Sequence, residues 1–559
     1  MANRYWVNSS GLWSSSNTAN WSATSGGGGG ASVPTAFDDV FFDANSNFGT
    51  NPFTVTLLNN PRLCRDITIS GLDGDMTLSS SGSVGLTVSG SLSFPATRLN
   101  RIYTGVTTFN ATTTGKTVTT NGVSFGSSTV IFNGSGGGWT LGSSLTCTVG
   151  IGVIAGTFST SATGYAITAA FFSSSVTSTR TIDLNSSTIT LTTVNNTWLT
   201  STTTNLTFNA GTSTINLTSS SCTFSGGGLT FYDVAFTTTA SGTKNLIGAN
   251  TFNNLSFGPL SNVSYNPISI RANNTINGTL TITGADGNRR FYVFSDVLKT
   301  VRTLTCNAVS LTDVDFEDIE IAGTAAPASG TRLGDRVNNA GITFTTPKTV
   351  YWNLAAGGNW DTTSWATSSG GAVANTNFPL PQDTAIIEDA GLDTSATITL
   401  NRDYGYPSFD ASTRTNAWLL RINQTSSFYG NFAVNTAVNF SGFSRTLFFN
   451  NESTKTFDSG GKTFNFHNIN LECPSTTGGL QLINSNLTLS GGGLTLTGGT
   501  LDLNNLTFSI SSAFTAGTGT LSRDITFNGG TLVVGTTFTG GSTNFTTTAG
   551  TGKIGRAHV

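Results

Sequence analysis

The chain carries 559 residues, with 25 Lys and Arg against 28 Asp and Glu, a net charge of −3. Only 9% of residues are charged and 37% are hydrophobic, while Gly reaches 66 and Thr roughly 100. This balance excludes charge-driven disorder, an electrostatic nucleic-acid binder, which needs a basic excess, and a transmembrane helix, because no apolar run approaches ~18–20 residues.

The N-terminus, Met1-Ala2-Asn3-Arg4-Tyr5-Trp6, lacks the apolar core of a signal peptide. With so few charges, that favours assembly inside a cell followed by release over export through a membrane. Residues 1–60 read as a Trp-rich module: Tyr5-Trp6, Trp13, Trp21, a Gly run, Pro34 and Asp38 to Asp43, then the alternating strand Thr54-Val55-Thr56-Leu57. Gly26 to Gly30 is a flexible turn, since no Lys-Ser/Thr follows it to make a phosphate loop. Asp73 and Asp75 lack the spacing of a calcium loop and read as a turn.

From 61 to 346, short alternating runs recur, such as Leu86-Thr87-Val88 and Thr188-Ile189-Thr190-Leu191. Period-two alternation punctuated by Gly, Asn and Ser predicts many short strands. Thr, Asn, Ser and Gly also disfavour helix interiors. Cys64, Cys147, Cys222, Cys306 and Cys473 are far apart, so they predict neither a metal site nor a disulfide framework but buried small hydrophobes. In Leu311 to Glu320, alternation places Asp313, Asp315 and Glu317 on one face and Val314 and Phe316 on the other. Arg332 and Arg336 follow, flanking Asp335. A solvated outer face explains these acids. The competing reading is calcium binding or acid/base work as in β-helical lyases and glycosidases.

A second Trp-rich module spans 347–400: Tyr351-Trp352, Trp360, Trp365, Gly370-Gly371, Pro379, Pro381 and Asp383 to Asp389, followed by Thr397-Ile398-Thr399-Leu400. It repeats the first module at an offset of roughly 346 residues, so the chain reads as one long repeat and part of another. Trp13, Trp21, Trp360 and Trp365 are candidates for a sugar-binding platform. A cap closing the end of a coil stack accounts for the same residues.

Residues 401–553 read as a second, truncated solenoid. Its one histidine, His467, sits in a strand-like run as a solvent-facing or satisfied residue. Leu480, Leu487, Leu494, Leu501 and Phe508 recur every seventh residue, with Leu482, Leu489, Leu496, Leu503 and Ile510 in step. A coiled coil is excluded, because Gly491 to Gly493 and Gly498-Gly499 each cost a helix ~1 kcal/mol. Four-residue strands joined by Gly or Asn turns fit instead. Three such units make a ~21-residue rung of a parallel β-solenoid. About 25 rungs at ~4.8 Å give a rod of about 120 Å. Tandem β-sandwich modules are the alternative all-β architecture. Ile554 to Val559 break the composition and resemble the translation of a sequencing adapter, which makes His558 an artefact and implies a longer natural chain.

The opening Met1 to Val7, with Asn20-Trp21-Ser22, Ser32-Val33-Pro34 and Asp38 to Ser46, resembles repetitive structural proteins of tailed bacteriophages. Such proteins are common in marine viral sequence, and related Trp-rich modules occur in large bacterial surface adhesins. The blocks Gly226 to Tyr232, Asn250 to Leu255 and Asn339 to Phe344 share the resemblance. It implies a virion, tail-fibre or adhesin-like role and names no catalytic residue.

Three functional expectations follow. The first is a non-enzymatic virion component, located in the particle. Its partners are other virion proteins or host-surface glycans, and a homo-oligomer is compatible; it has no cofactor or metal, no nucleic-acid partner and no membrane span. The second is a β-helical polysaccharide depolymerase using Asp313, Asp315 and Glu317. The third is an adhesin at a bacterial cell surface.

Overall fold

The computed structural model describes every residue except 1, 48, 50, 239, 261–264, 443–444, 466, 475–476, 519–520, 541–543, 549–552 and 557–559. It is 50% strand and 2% helical, and its strands form a parallel β-solenoid of about 21 turns in all. Two compact units divide the chain. One contains Met1–Gly258 with Arg271–Thr281 and Thr305–Ala308, and the other Pro259–Ile270, Ile282–Leu304 and Val309–Val559.

In the first unit, strands beyond the opening Trp-rich segment pair in parallel with the strand one rung on. Ile189 lies beside Ile215, and Phe172 beside Trp198. Inward side chains stack along the coil: the rings of Phe172 and Trp198 are 4.6 Å apart and those of Trp198 and Phe224 5.9 Å. The second unit repeats the device with Phe409, Phe432 and Phe457 at 5.2 and 5.0 Å. Pairing between rungs satisfies the backbone without charged groups, so a sequence this poor in charge can still close a large core. Sandwich modules, which pair antiparallel strands within each module, are overturned by this register.

The sevenfold leucine pattern lies where expected. Leu480, Leu482, Leu487, Leu489, Leu494, Leu496, Leu501, Leu503, Phe508 and Ile510 are all buried. Leu480 pairs with Leu501 and Leu487 with Phe508, which is the 21-residue rung. The next rung is longer, with Leu501 beside Ile525. Longer rungs elsewhere, as in Ile189 to Ile215, explain why the chain makes fewer turns than the expected 25. At Gly498-Gly499 the expected break is a corner inside the continuous strand Leu494–Asp502. Gly499 has φ +90°, and a Cβ there would lie 2.6 Å from Cys473 Cβ.

The two Trp-rich segments share one geometry. In each, a strand pairs antiparallel with a second Trp-bearing strand (Trp6 beside Trp21, Trp352 beside Trp365) and parallel with a third. The third strand then pairs with the next rung, Val40 beside Ile67 and Ala385 beside Phe409. A buried aspartate fixes the same loop in both. Asp38 accepts from Ala2 N at 3.1 Å and Thr35 N at 3.0 Å, and Asp383 accepts from Lys348 N at 2.9 Å and Leu380 N at 2.8 Å. The five cysteines are buried, and among the described residues none forms a disulfide. Burial pushes the Cys222 thiol up to about 12, which suits packing rather than reactivity. Among the described residues no helix is long and apolar enough to cross a membrane. Lys553–Arg556 forms a strand beside Thr531–Val534, whereas His558 lies outside the described residues.

Candidate functional site

The acids of the 311–320 run are not on a solvated face. Asp313 is 0% exposed, Asp315 1% and Glu317 5%, and Val314 and Phe316 are buried as well. From Val314 to Glu317 alternation holds, with Val314 and Phe316 beside the buried Phe291 and Val293 and Asp315 and Glu317 beside Tyr292 and Phe294, whereas Asp313 sits at a φ of +56°; the outer face is covered by the repeat that follows. Pro381, Gln382 and Tyr429 come from that repeat. Gln382 Nε2 donates to Leu333 O and Thr345 O, both at 2.9 Å, and Gln382 Oε1 accepts from Asp335 N at 2.9 Å. The expected solvated face is therefore a junction between successive repeats.

Arginines fill this junction. Arg290, itself 1% exposed, donates from Nη2 to Asp315 Oδ1 at 2.6 Å and from Nη1 to Asp313 Oδ1 at 3.4 Å. Its Nη2 also donates to Arg332 O at 2.7 Å. The Arg332 guanidinium grips Asp313 from the other side, with Nε to Oδ1 at 2.5 Å and Nη2 to Oδ2 at 2.6 Å. Glycine makes the fit possible, because a Cβ at Gly334, which pairs with Asp315, would sit 2.0 Å from Asp315 Oδ1.

Glu317 ends the row. It accepts from the hydroxyls of Tyr292 and Tyr429, the latter at 2.9 Å, and Arg336 Nη1 lies 3.8 Å away. The Arg336 guanidinium stacks over the Tyr292 ring at 3.7 Å and donates to Asp403 O at 3.1 Å. Burial raises the phenol pKa of Tyr292 and Tyr429, with the Glu317 charge adding to it, so both hydroxyls stay donors. Beside this group lies a recess of about 190 Å³, whose lining includes Glu317, Arg336, Asp403, Tyr429, Asn450 and Glu472.

Burial, reinforced by Glu317 and Asp318 and opposed by Lys299, pushes the Glu472 carboxyl up to about 7. Burial raises Asp318, Asp335 and Asp403 in the same direction. A carboxyl that binds its proton more tightly when folded stabilises the fold fully below its unfolded pKa of ~4.3 and loses that contribution as pH rises through its folded value. Thermal stability is therefore expected to fall between pH ~4.5 and 7, with a flatter slope in Glu472→Gln, read from melting curves across that window. An unchanged slope in the variant would assign the dependence to other groups.

Trp13, Trp21 and Trp360 are 0% exposed and Trp365 1%, so none presents a ring face to a glycan. They pack edge to face instead: Trp13 and Trp21 at 5.2 Å, Trp360 and Trp365 at 4.5 Å. A solvent-facing His467 is likewise corrected. The residue is 0% exposed and pairs in the ladder with Arg445, and burial lowers its pKa. Asp73 and Asp75 are exposed beside a bend. Among the described residues no group of three or more His, Cys, Asp or Glu could hold a metal.

Residue types alone did not single out Arg290, Tyr292, Asp403, Tyr429 or Glu472. One signal was available: fourteen of the 53 charged residues fall within 286–336. In a chain so poor in charge, such a concentration marks a place where charge is needed. Comparison with protein-family models, curated proteins and solved structures gives no match.

Proposed function

We propose that the chain is a non-enzymatic structural and adhesive protein, a tail or fibre component of a phage particle that meets host-surface glycans or other virion proteins. One observation carries this reading: the densest group of acids and bases in the sequence is spent on joining one repeat to the next. Asp313 and Asp315 are closed off by arginines, so neither is placed to exchange a proton with a substrate. Stacked rungs with short polar side chains outward give contact area without net charge. The resemblance of the Trp-rich segments to phage and adhesin modules supports a role at a particle or cell surface.

The test is retention of labelled full chain on a glycan array and on whole bacterial cells, with reducing-sugar release followed in parallel. Saturable retention without sugar release is the expected result. Absence of retention on both would overturn the proposal. Sugar release abolished by Glu472→Gln would replace it with the depolymerase reading, which the carboxyls around the recess favour.

A further inference from the structure

A four-stranded parallel sheet in the first unit, Gly11–Trp13, Phe53–Leu57, Met76–Ser80 and Leu99–Arg101, adds one strand per rung and then stops. Met76 N donates to Arg98 O and Ile102 N to Leu78 O, so Arg98, Asn100 and Ile102 turn their backbone groups to the preceding rung. Leu99 and Arg101 turn theirs the other way, because bonding direction alternates along a strand. Among the described residues the N–H and C=O groups of these two have no hydrogen-bond partner. The next rung carries Val118 beside Leu92 and Val130 beside Thr107, but between them it makes a turn at 121–122 where a strand is due. A cleft of about 360 Å³ results, with a lining that includes Leu99, Asn100, Arg101, Asn121, Val123 and Ser124.

The second repeat fills the same place. Its equivalent sheet is Gly357–Asn359, Thr397–Leu400, Trp418–Ile422 and Val438–Gly442. There the next rung supplies the strand Thr463–Asn465, with Phe464 stacked on Phe440 at 4.1 Å. Arg101 holds the position of Phe440, each paired with a buried leucine of the strand before, Leu78 or Leu420. We propose that the open edge of Leu99–Arg101 receives an extended polypeptide segment of a partner protein, added as the strand that the first repeat omits. Main-chain groups on such an edge bind an extended chain, and the side-chain contacts select it. The space beneath is shallow, because the Arg101 guanidinium lies there, 3.6 Å over the Tyr103 ring, with Nη2 donating to Tyr103 O at 3.0 Å. A segment with small inward side chains therefore fits. The inference rests on the reading of the chain as one that meets other virion proteins, and it supplies the contact.

Amide exchange of Leu99 and Arg101 in the full chain, followed by NMR with selective labelling of Leu and Arg, is the test. The probe is the peptide acetyl-Thr-Ala-Thr-Ala-Thr-amide. With a Kd of about 1 mM, about 10 mM peptide is expected to slow both amides about tenfold. Its counterpart N-methylated at every amide cannot donate and is expected to protect neither. Val123→Trp, at a part-exposed position lining the cleft, is expected to fill it and abolish protection. No protection by the peptide, equal protection by the N-methylated form, or protection unchanged in Val123→Trp would each overturn the site. Protection by maltotriose in place of the peptide would give the cleft to a glycan and overturn it as well. Retention on cells or on a glycan array without peptide protection sinks this site and leaves the adhesive function standing. Peptide protection without retention does the reverse.

Discussion

Replacing Arg290 with methionine is expected to destabilise the junction by about 3–5 kcal/mol, the cost of leaving buried carboxylates without their cation. Among the described residues Asp315 has no other arginine in salt-bridge contact, and Asp313 keeps only Arg332, whose side chain is 25% exposed. Because a solenoid can open rung by rung, the readout is amide exchange in the strands Arg290–Ser295 and Thr331–Val337, alongside chemical denaturation. Arg332→Met should cost less, since that guanidinium is partly hydrated. Adding Asp313→Leu and Asp315→Leu to Arg290→Met should recover most of the loss, because a buried ion cluster replaced as a unit by apolar groups is often neutral. If Arg290→Met alone leaves exchange in these strands unaltered, the carboxylates are not held as described.

The second large effect is expected in the Trp clusters. Trp21→Ala and Trp365→Ala should each cost about 3–5 kcal/mol, the usual range for emptying a buried indole site. Trp21 contacts Trp6, Trp13 and Phe42, and Trp365 contacts Trp352 and Trp360, so each deletion removes the centre of its cluster. A glycan platform predicts the opposite outcome, with binding lost and stability kept. Denaturation curves of the two variants against the parent chain decide between them.

Much of the fold was legible along the chain because its signals are local. The step of seven from Leu480 to Phe508 requires two inward side chains per strand whatever surrounds it, and all ten marked residues are buried. The paired Tyr-Trp motifs 346 residues apart mark two segments with the same strand pairing, and Asp38 and Asp383 accept from the chain in the same way. Corners were less legible: Gly498-Gly499 marks a change of direction, but one strand runs through it, pairing on each side with two strands in turn, His467–Glu472 then Gly479–Leu482 on one and Phe514–Ala516 then Arg523–Thr526 on the other.

What covers a face cannot be read from its own alternation. Asp315 and Glu317 alternate with Val314 and Phe316, and solvent is kept away by residues such as Pro381 and Tyr429, which are distant in sequence. The duplicated loops make the same point. Phe37 is 73% exposed, whereas Gln382, one position before the equivalent aspartate, is held against Leu333, Asp335 and Thr345. The two positions follow from nearly the same local pattern and differ only in their neighbours. Strand alternation and the inward core were thus determined by the sequence alone, since each depends on side chains a few residues apart, whereas the rungs longer than 21 residues show only in the pairing. Burial of charge, the partners of each arginine and the walls of the recess were decided by tertiary structure, because desolvation depends on every atom nearby in space.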